Sequence, residues 1–135
     1  MLTENLEKIE RFAAKIWRVH SKEDPIGQLS FNEYDYLKVI QSAPEPIRLT
    51  DLAQEMEVTK PSATNMVKRL ERKGLVERKV CIEDARSKRV ALTAQATLGL
   101  KEESKVYGIM SKGIEKKLSK EEAFQLNQLL SKALK

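Results

Sequence analysis

The segment that most limits how this chain can fold lies between Thr59 and Gly74. Thr59 suits a helix N-cap, because its hydroxyl can accept from an orphan amide of the first turn. Pro61 falls in that first turn, where its missing N–H costs nothing. Gly74 follows the last turn and suits a left-handed cap. Between these ends Ala63, Met66, Val67 and Leu70 recur at helical spacing and make one apolar stripe. Pro61, Asn65, Lys68 and Arg72 fall on the opposite face, flanked by Thr64 and Arg69. One face of this helix packs, and the other is offered outward.

Its neighbours narrow the reading. Thr50-Asp51-Leu52-Ala53 opens a short preceding helix, with Thr50 as its cap, and Glu55 to Val58 leave only a tight turn before Thr59. After Gly74 a β run extends from Leu75 to Ile82. Glu83 to Lys88 form a polar loop, and Arg89 to Leu92 make the return strand. A short strand at Ile47 to Leu49 can pair with this hairpin. The order helix, tight turn, helix, hairpin is a helix-turn-helix with a wing, a shape that reads duplex DNA. Asn65 can pair bidentately with adenine, and Ser62 or Thr64 can contact bases or phosphates. Lys60, Lys68, Arg69 and Arg72 suit phosphate neutralisation, which sets affinity more than sequence. The competing reading is an ordinary surface helix with a solvated basic face.

Three motifs in register carry a family resemblance. They are Leu49 to Ala53 (L-x-x-L-A), Gly74 to Arg78 (G-L-V-E-R) and Asp84 to Thr93 (D-x-R-S-K-R-V-x-L-T). Together they resemble the MarR (multiple-antibiotic-resistance regulator) family of bacterial winged-helix transcription regulators. The resemblance implies that Arg86 is a minor-groove finger supported by Asp84. That chemistry is sound, because narrow minor grooves attract arginine. The bland alternative is a plain hairpin turn with a surface ion pair. The candidate DNA-binding set is therefore Lys60, Pro61, Ser62, Thr64, Asn65, Lys68, Arg69, Arg72, Asp84, Arg86, Ser87, Lys88 and Arg89. Relatives commonly carry a glycine shortly after the L-T, where Ala96 and Thr97 stand here.

The charge distribution agrees with a DNA partner. The net charge is +5, yet Lys60 to Arg89 hold 10 basic and 4 acidic residues, while the rest of the chain holds 15 basic and 16 acidic. The positive charge is confined to the proposed reading surface, as steering toward phosphate requires. A length of 135 residues suits one domain, and an apolar fraction of 41% is too high for a disordered chain. No long apolar run suggests a membrane span, and no leader pattern is seen at the N-terminus. One cysteine excludes an internal disulfide framework and fits a reducing cytoplasm.

The flanks read as amphipathic helices. Thr3 can cap a first helix from about Glu4, with Leu2, Leu6, Ile9, Ala13 and Ile16 on one side and Trp17 near its edge. Asp24-Pro25-Ile26-Gly27 breaks it. Ser30 and Glu33 form a capping box for the next helix, whose expected buried side is Phe31, Tyr34, Leu37 and Ile40. Thr93 caps a long helix through about Leu118 that carries Gly99, Gly108 and Gly113, positions suited to close approach or bending. Ser119 and Glu122 form a second capping box. The last helix presents Leu126, Leu130 and Leu134, with Phe124 and Leu129 adding apolar area beyond one helix's own needs.

The expected fold is mostly α with a small β-hairpin wing. Residues 1–29 form an N-terminal dimerisation helix and linker, 30–93 the winged helix-turn-helix, and 94–135 C-terminal dimerisation helices, interleaved as one domain. The resemblance implies a homodimer built on the terminal helices; the alternative is that these helices pack within one chain. Two recognition helices related by a two-fold axis would sit roughly 34–36 Å apart and prefer a near-palindrome.

Other chemistry is sparse. His20 is the only histidine, and neither it nor Cys81 has companions at metal-ligand spacing, so no metal is expected. Cys81 reads as a small strand residue; a redox role would need a second subunit or a small thiol. No catalytic grouping, phosphate loop or cofactor motif is seen, so the chain does not read as an enzyme. The resemblance also implies a small aromatic or phenolic effector. Phe12, Ile16, His20, Phe31 and Tyr34 could line its crevice, or could simply be core. The reading is a dimeric repressor that acts by promoter occupancy. Its rivals are a nucleoid-type protein of low specificity and a winged-helix adaptor that binds protein instead of DNA.

Overall fold

The computed structural model describes residues 1–20, 26–80 and 88–135. Its elements are α1 (Leu2–His20), a short 3-10 turn (Ile26–Gln28), α2 (Phe31–Ser42), β1 (Ile47–Arg48), α3 (Leu49–Met56), α4 (Lys60–Arg72), β2 (Val76–Val80), β3 (Lys88–Leu92), α5 (Ala94–Glu115) and α6 (Lys120–Ala133). The fold is mostly helical with one small antiparallel sheet. The chain divides into two compact units, Glu23–Glu102, and Met1–Lys22 with Glu103–Lys135.

The first unit holds the helix-turn-helix and its wing. Its sheet has the order β1-β3-β2. Ile47 and Arg48 pair with Val90 and Arg89, and β2 pairs with β3 from Val76↔Leu92 to Val80↔Lys88. Beneath the sheet and helices lies a core that includes Leu37, Leu52, Val67, Leu70, Leu75 and Val90, all essentially inaccessible. Each such side chain contributes roughly 1.5–3 kcal/mol on burial. A surface ion pair contributes about 0–1 kcal/mol, so the apolar core holds this unit together.

In α2 the Ser30 hydroxyl accepts from the Glu33 amide at 3.1 Å, and Glu33 Oε1 accepts from the Ser30 amide at 3.2 Å, closing the expected capping box. The buried face of α2 differs from the expectation. It is Glu33, Tyr36, Leu37 and Ile40, while Phe31 is 89% exposed and Tyr34 is half-buried against the core. The capping box draws Glu33 inward, and Tyr36 takes the core place that Tyr34 was expected to fill.

Two expected caps are displaced. In α1 the helix starts at Leu2, so Thr3 is inside the first turn. In α3 the pairing of β1 runs straight into the helix, which begins at Leu49. Arg48 occupies the N-cap without a side-chain bond, and Thr50 lies inside the first turn. At the other end of the unit the expected Thr93 cap is present, its hydroxyl accepting from the Ala96 amide at 3.1 Å.

In the second unit, Trp17 of α1 meets Tyr107 of α5 edge to face, with ring centroids 5.4 Å apart. The Phe12 ring lies against Gly113, where an added Cβ would come 2.8 Å from Phe12 Cζ. Ser119 and Glu122 close the capping box that starts α6. Neither α1 nor α6 has a buried residue. Leu2, Leu6, Ile9, Phe124, Leu129 and Leu134 are all exposed. No helix among the described residues is long and apolar enough to cross a membrane.

Candidate nucleic-acid interface

Helix α4 is fixed at both ends. At its start the Thr59 hydroxyl accepts from the Ser62 amide at 3.2 Å and donates to the Ser62 hydroxyl at 2.9 Å, with Pro61 in the first turn. The turn before it is made by Glu57, a non-glycine residue in the left-handed region at φ 57°. The Val58 amide there donates to Ala53 O at 3.0 Å. At the far end Gly74 adopts φ 73°, as a left-handed cap requires, and the Leu75 amide donates to Leu70 O at 3.0 Å. The Thr93 hydroxyl donates to Gly74 O at 2.8 Å, which ties the end of α4 to the base of the wing.

Between these ends Ala63, Met66, Val67 and Leu70 are buried as expected. The helical rotation then turns Pro61, Asn65, Lys68 and Arg72 outward, and all four are exposed. Lys60, Ser62 and Arg69 are exposed as well, and Thr64 is half-buried. None of the ion pairs among the described residues takes up Lys60, Lys68, Arg69 or Arg72. The face therefore presents cations for phosphate beside one amide side chain suited to a base edge.

Among the described residues of the wing, ion pairs take up several of the cations. Arg78 Nε donates to Glu71 Oε1 at 2.9 Å, and Lys79 pairs with Glu77 at 3.0 Å. Lys88 is exposed at the start of β3. Arg89 is turned toward the loop before β1, where its Nη1 donates to Pro46 O at 3.0 Å and to Glu45 Oε1 at 3.3 Å. That guanidinium braces the sheet edge. The proposed finger Arg86, its support Asp84, and Ser87 lie outside the described residues, as does Cys81.

The five candidate effector residues are not gathered in one unit. Phe12 and Ile16 are half-buried and His20 exposed in the unit of the terminal helices, whereas Phe31 and Tyr34 belong to the winged unit. A cleft of about 810 Å³ in the winged unit lies elsewhere, between α2, the Pro44–Pro46 loop and α3, and none of the five lines it. Among the described residues no group of His, Cys, Asp and Glu could hold a metal ion.

One contact was not readable from sequence. Lys73, the C-cap of α4, pairs with Glu33 of α2. The Glu33 side chain is only 7% exposed, against 43% for Lys73. Burial alone would raise the Glu33 carboxyl. The Lys73 hydrogen bond, the Ser30 amide and hydroxyl, and the Lys73 charge outweigh it and hold the group below the ordinary carboxylate range. The partners are 40 residues apart, so no local pattern announces them.

Comparison with known proteins gives a match over the winged region. Residues 28–87 match the model of the MarR family, a span covering α2, the helix-turn-helix and the wing up to the start of β3. Over this region, a little under half of its length, the chain is similar to the MarR family. The solved structures most like it include Streptococcus pneumoniae FabT in complex with DNA, at 25% identity and TM-score 0.80, covering 98% of this chain and 92% of that one. The S. aureus MepR–DNA complex matches at 21% identity and TM-score 0.72, covering 99% and 95%. Apo wild-type MarR from E. coli matches at 23% identity and TM-score 0.69, covering 100% and 98%. The fold of this chain is thus shared with these structures over nearly its whole length.

Proposed function

We propose that this chain is a MarR-family, sequence-specific double-stranded-DNA-binding transcription regulator, a homodimeric repressor that acts in the cytoplasm by occupying a promoter. The observation that carries the reading is the outer face of α4. Its apolar stripe is fully committed to the core, so Pro61, Asn65, Lys68 and Arg72 must face outward together. That face is basic and is not neutralised by the ion pairs among the described residues. The FabT and MepR complexes, which contain DNA, support the same use of a shared fold. Asn65 would read a base edge, Lys60, Lys68, Arg69 and Arg72 would hold phosphates, and Asp84, Arg86, Ser87 and Lys88 would extend the contact along the wing.

The homodimer is supported by the apolar residues left uncovered on α1 and α6. A second copy would cover them and give the two recognition helices the two-fold relation that a near-palindromic operator mirrors. A small aromatic or phenolic effector would act by favouring a dimer with wrongly spaced recognition helices. No catalytic role is assigned.

Duplex selection from a random pool, followed by fluorescence anisotropy at two salt concentrations, tests the DNA reading. A selected duplex bound about a thousandfold more tightly than a scrambled one establishes a specific regulator. Equal, salt-sensitive binding to both indicates a nucleoid-type protein, and no binding at low salt turns the assignment to an adaptor. Leu126→Asp tests the dimer; a stable dimer carrying it would remove α6 from the interface.

A further inference from the structure

We infer that the Glu33–Lys73 pair is a positioning latch for the DNA-facing helix: it sets the angle at which α4 presents its outer face, and Lys73 serves sequence discrimination through Glu33 instead of through phosphate. The inference rests on the DNA-reading function proposed above.

The geometry makes α4 a lever. Its 13 residues span about 20 Å at 1.5 Å per residue. The end at Thr59 follows directly on the tight turn from α3, whose left-handed Glu57 leaves the chain little freedom. The end at Lys73 is tied to the base of the wing through Gly74 O, and the Glu33–Lys73 pair is the side-chain link that sets its position against α2. A shift of 1 Å there tilts the axis by about 3°. Base recognition requires side chains to be held within about 0.5 Å of their productive positions. Burial of the apolar stripe is non-directional and does not by itself single out one helix angle. A charge-assisted hydrogen bond to a buried carboxylate can.

Glu33 is built to be such a stop. Its carboxylate accepts from the Ser30 amide at 3.2 Å and the Ser30 hydroxyl at 3.0 Å, so the α2 cap holds it in place before Lys73 arrives. It is nearly inaccessible in the folded protein, with Lys73 as its partner on the open side. The Lys73 amide donates to Arg69 O at 3.2 Å, so the same residue both ends the helix and carries the latch. The Lys73 ammonium is engaged by Glu33 of α2 although its side chain stays 43% exposed, whereas Lys68, Arg69 and Arg72 are outside the ion pairs among the described residues.

Glu33→Gln is the decisive variant, because glutamine keeps the capping box while removing the charge that Lys73 meets. It is compared with Lys73→Met, Lys73→Arg and the double variant Glu33→Gln/Lys73→Met. The probes are the duplex that wild-type protein enriches from a random pool and a scrambled duplex of equal composition. A latch predicts that Glu33→Gln weakens binding to the enriched duplex about tenfold while binding to the scrambled duplex and the salt slope stay as in wild type. Lys73→Met should match it, Lys73→Arg should restore the wild-type preference, and the double variant should be no worse than either single one. If Lys73 instead held a phosphate, Lys73→Met would weaken both duplexes alike and lower the salt slope by about one, with Glu33→Gln silent; that overturns the latch. Melting curves accompany each variant, and the double variant removes the unpaired buried charge if a single one unfolds. Equal loss on both duplexes by a folded double variant likewise overturns it. If wild type enriches no sequence, the DNA-reading function fails and the latch with it; enrichment with an unaffected Glu33→Gln removes the latch alone.

Discussion

Replacing the glycines of α5 by alanine, one at a time, should give three different outcomes along a single helix. A mid-helix glycine is about 0.8–1 kcal/mol less favourable than alanine, because it surrenders more backbone entropy. At Gly108 an added Cβ meets nothing within 4 Å. Gly108→Ala should therefore recover about 0.8–1 kcal/mol, which for a chain of this length raises Tm by about 3–5 °C. At Gly99 the added Cβ would lie 2.5 Å from Ile26 Cγ1 and 3.3 Å from Ile26 Cδ1. Ile26 is buried and β-branched, so Cγ1 sits beside its own backbone and cannot swing aside. Overpacking of that kind costs about 1–3 kcal/mol, which exceeds the helix gain, and Gly99→Ala should lose up to about 2 kcal/mol net. At Gly113 the neighbour is Phe12 Cζ at 2.8 Å, the far end of a half-buried ring. That ring can give, and the two effects should cancel to within about 0.5 kcal/mol.

The assay is thermal melting by circular dichroism at one fixed protomer concentration, because the Tm of an associating protein moves with concentration. Urea titration checks that m is unchanged, so that shifts in midpoint are shifts in stability. The expected order of Tm is Gly108→Ala above wild type, Gly113→Ala near it, and Gly99→Ala below. A Gly108→Ala protein melting at or below wild type would refute the premise that nothing packs beside Gly108. A Gly99→Ala protein melting above wild type would refute the rigidity assigned to Ile26.

Other perturbations test other parts. Thr59→Ala removes the acceptor for the Ser62 amide and should cost about 1 kcal/mol in urea titration. Glu57→Gly relieves a left-handed non-glycine residue and should stabilise by about 0.5–1 kcal/mol, whereas Glu57→Val should destabilise; equal midpoints for the two would contradict the strained turn. Glu33 gives a pH signature. Its carboxyl is held below the ordinary value in the folded protein, so its stabilising contribution is complete above the ordinary carboxylate range and is lost as pH falls through that range toward the lowered value. The gap in Tm between wild type and Glu33→Gln should therefore be widest near neutrality and narrow in acid; a gap that is constant with pH would count against the ion pair.

What could be read from sequence follows a physical division. Helix α4 was readable because both ends and the stripe between them are local signals: Thr59, Pro61, Gly74 and four apolar residues at helical spacing. The two capping boxes were readable for the same reason, each spanning three residues. The buried face of α2 was not, since Phe31, Tyr34 and Tyr36 offer aromatic area on more than one side and periodicity cannot choose among them. The choice depends on Lys73, 40 residues away, which makes a buried Glu33 tolerable. The partners of Arg89 were hidden in the same way. Its guanidinium meets Pro46 and Glu45, 43 and 44 residues earlier, which no local pattern announces. The displaced start of α3 has a long-range cause too, because β1 can end at Arg48 only by pairing with β3.

These cases share one cause. Apolar side chains are interchangeable to a first approximation, so their pattern can be read without knowing the partner. A charged side chain has no such freedom, since its cost or benefit on burial is set by the group it meets. The lysines and arginines of the reading region look alike in sequence, yet the structure sorts them by partner. Arg78, Lys79 and Arg89 brace the wing and its sheet, Lys73 ties α4 to α2, and Lys68, Arg69 and Arg72 keep their charge outward. The cations of the region therefore outnumber those that the described residues leave outside these ion pairs. The salt slope of binding should follow the outward group on α4 and the wing residues 84–88, and not all ten basic residues between Lys60 and Arg89.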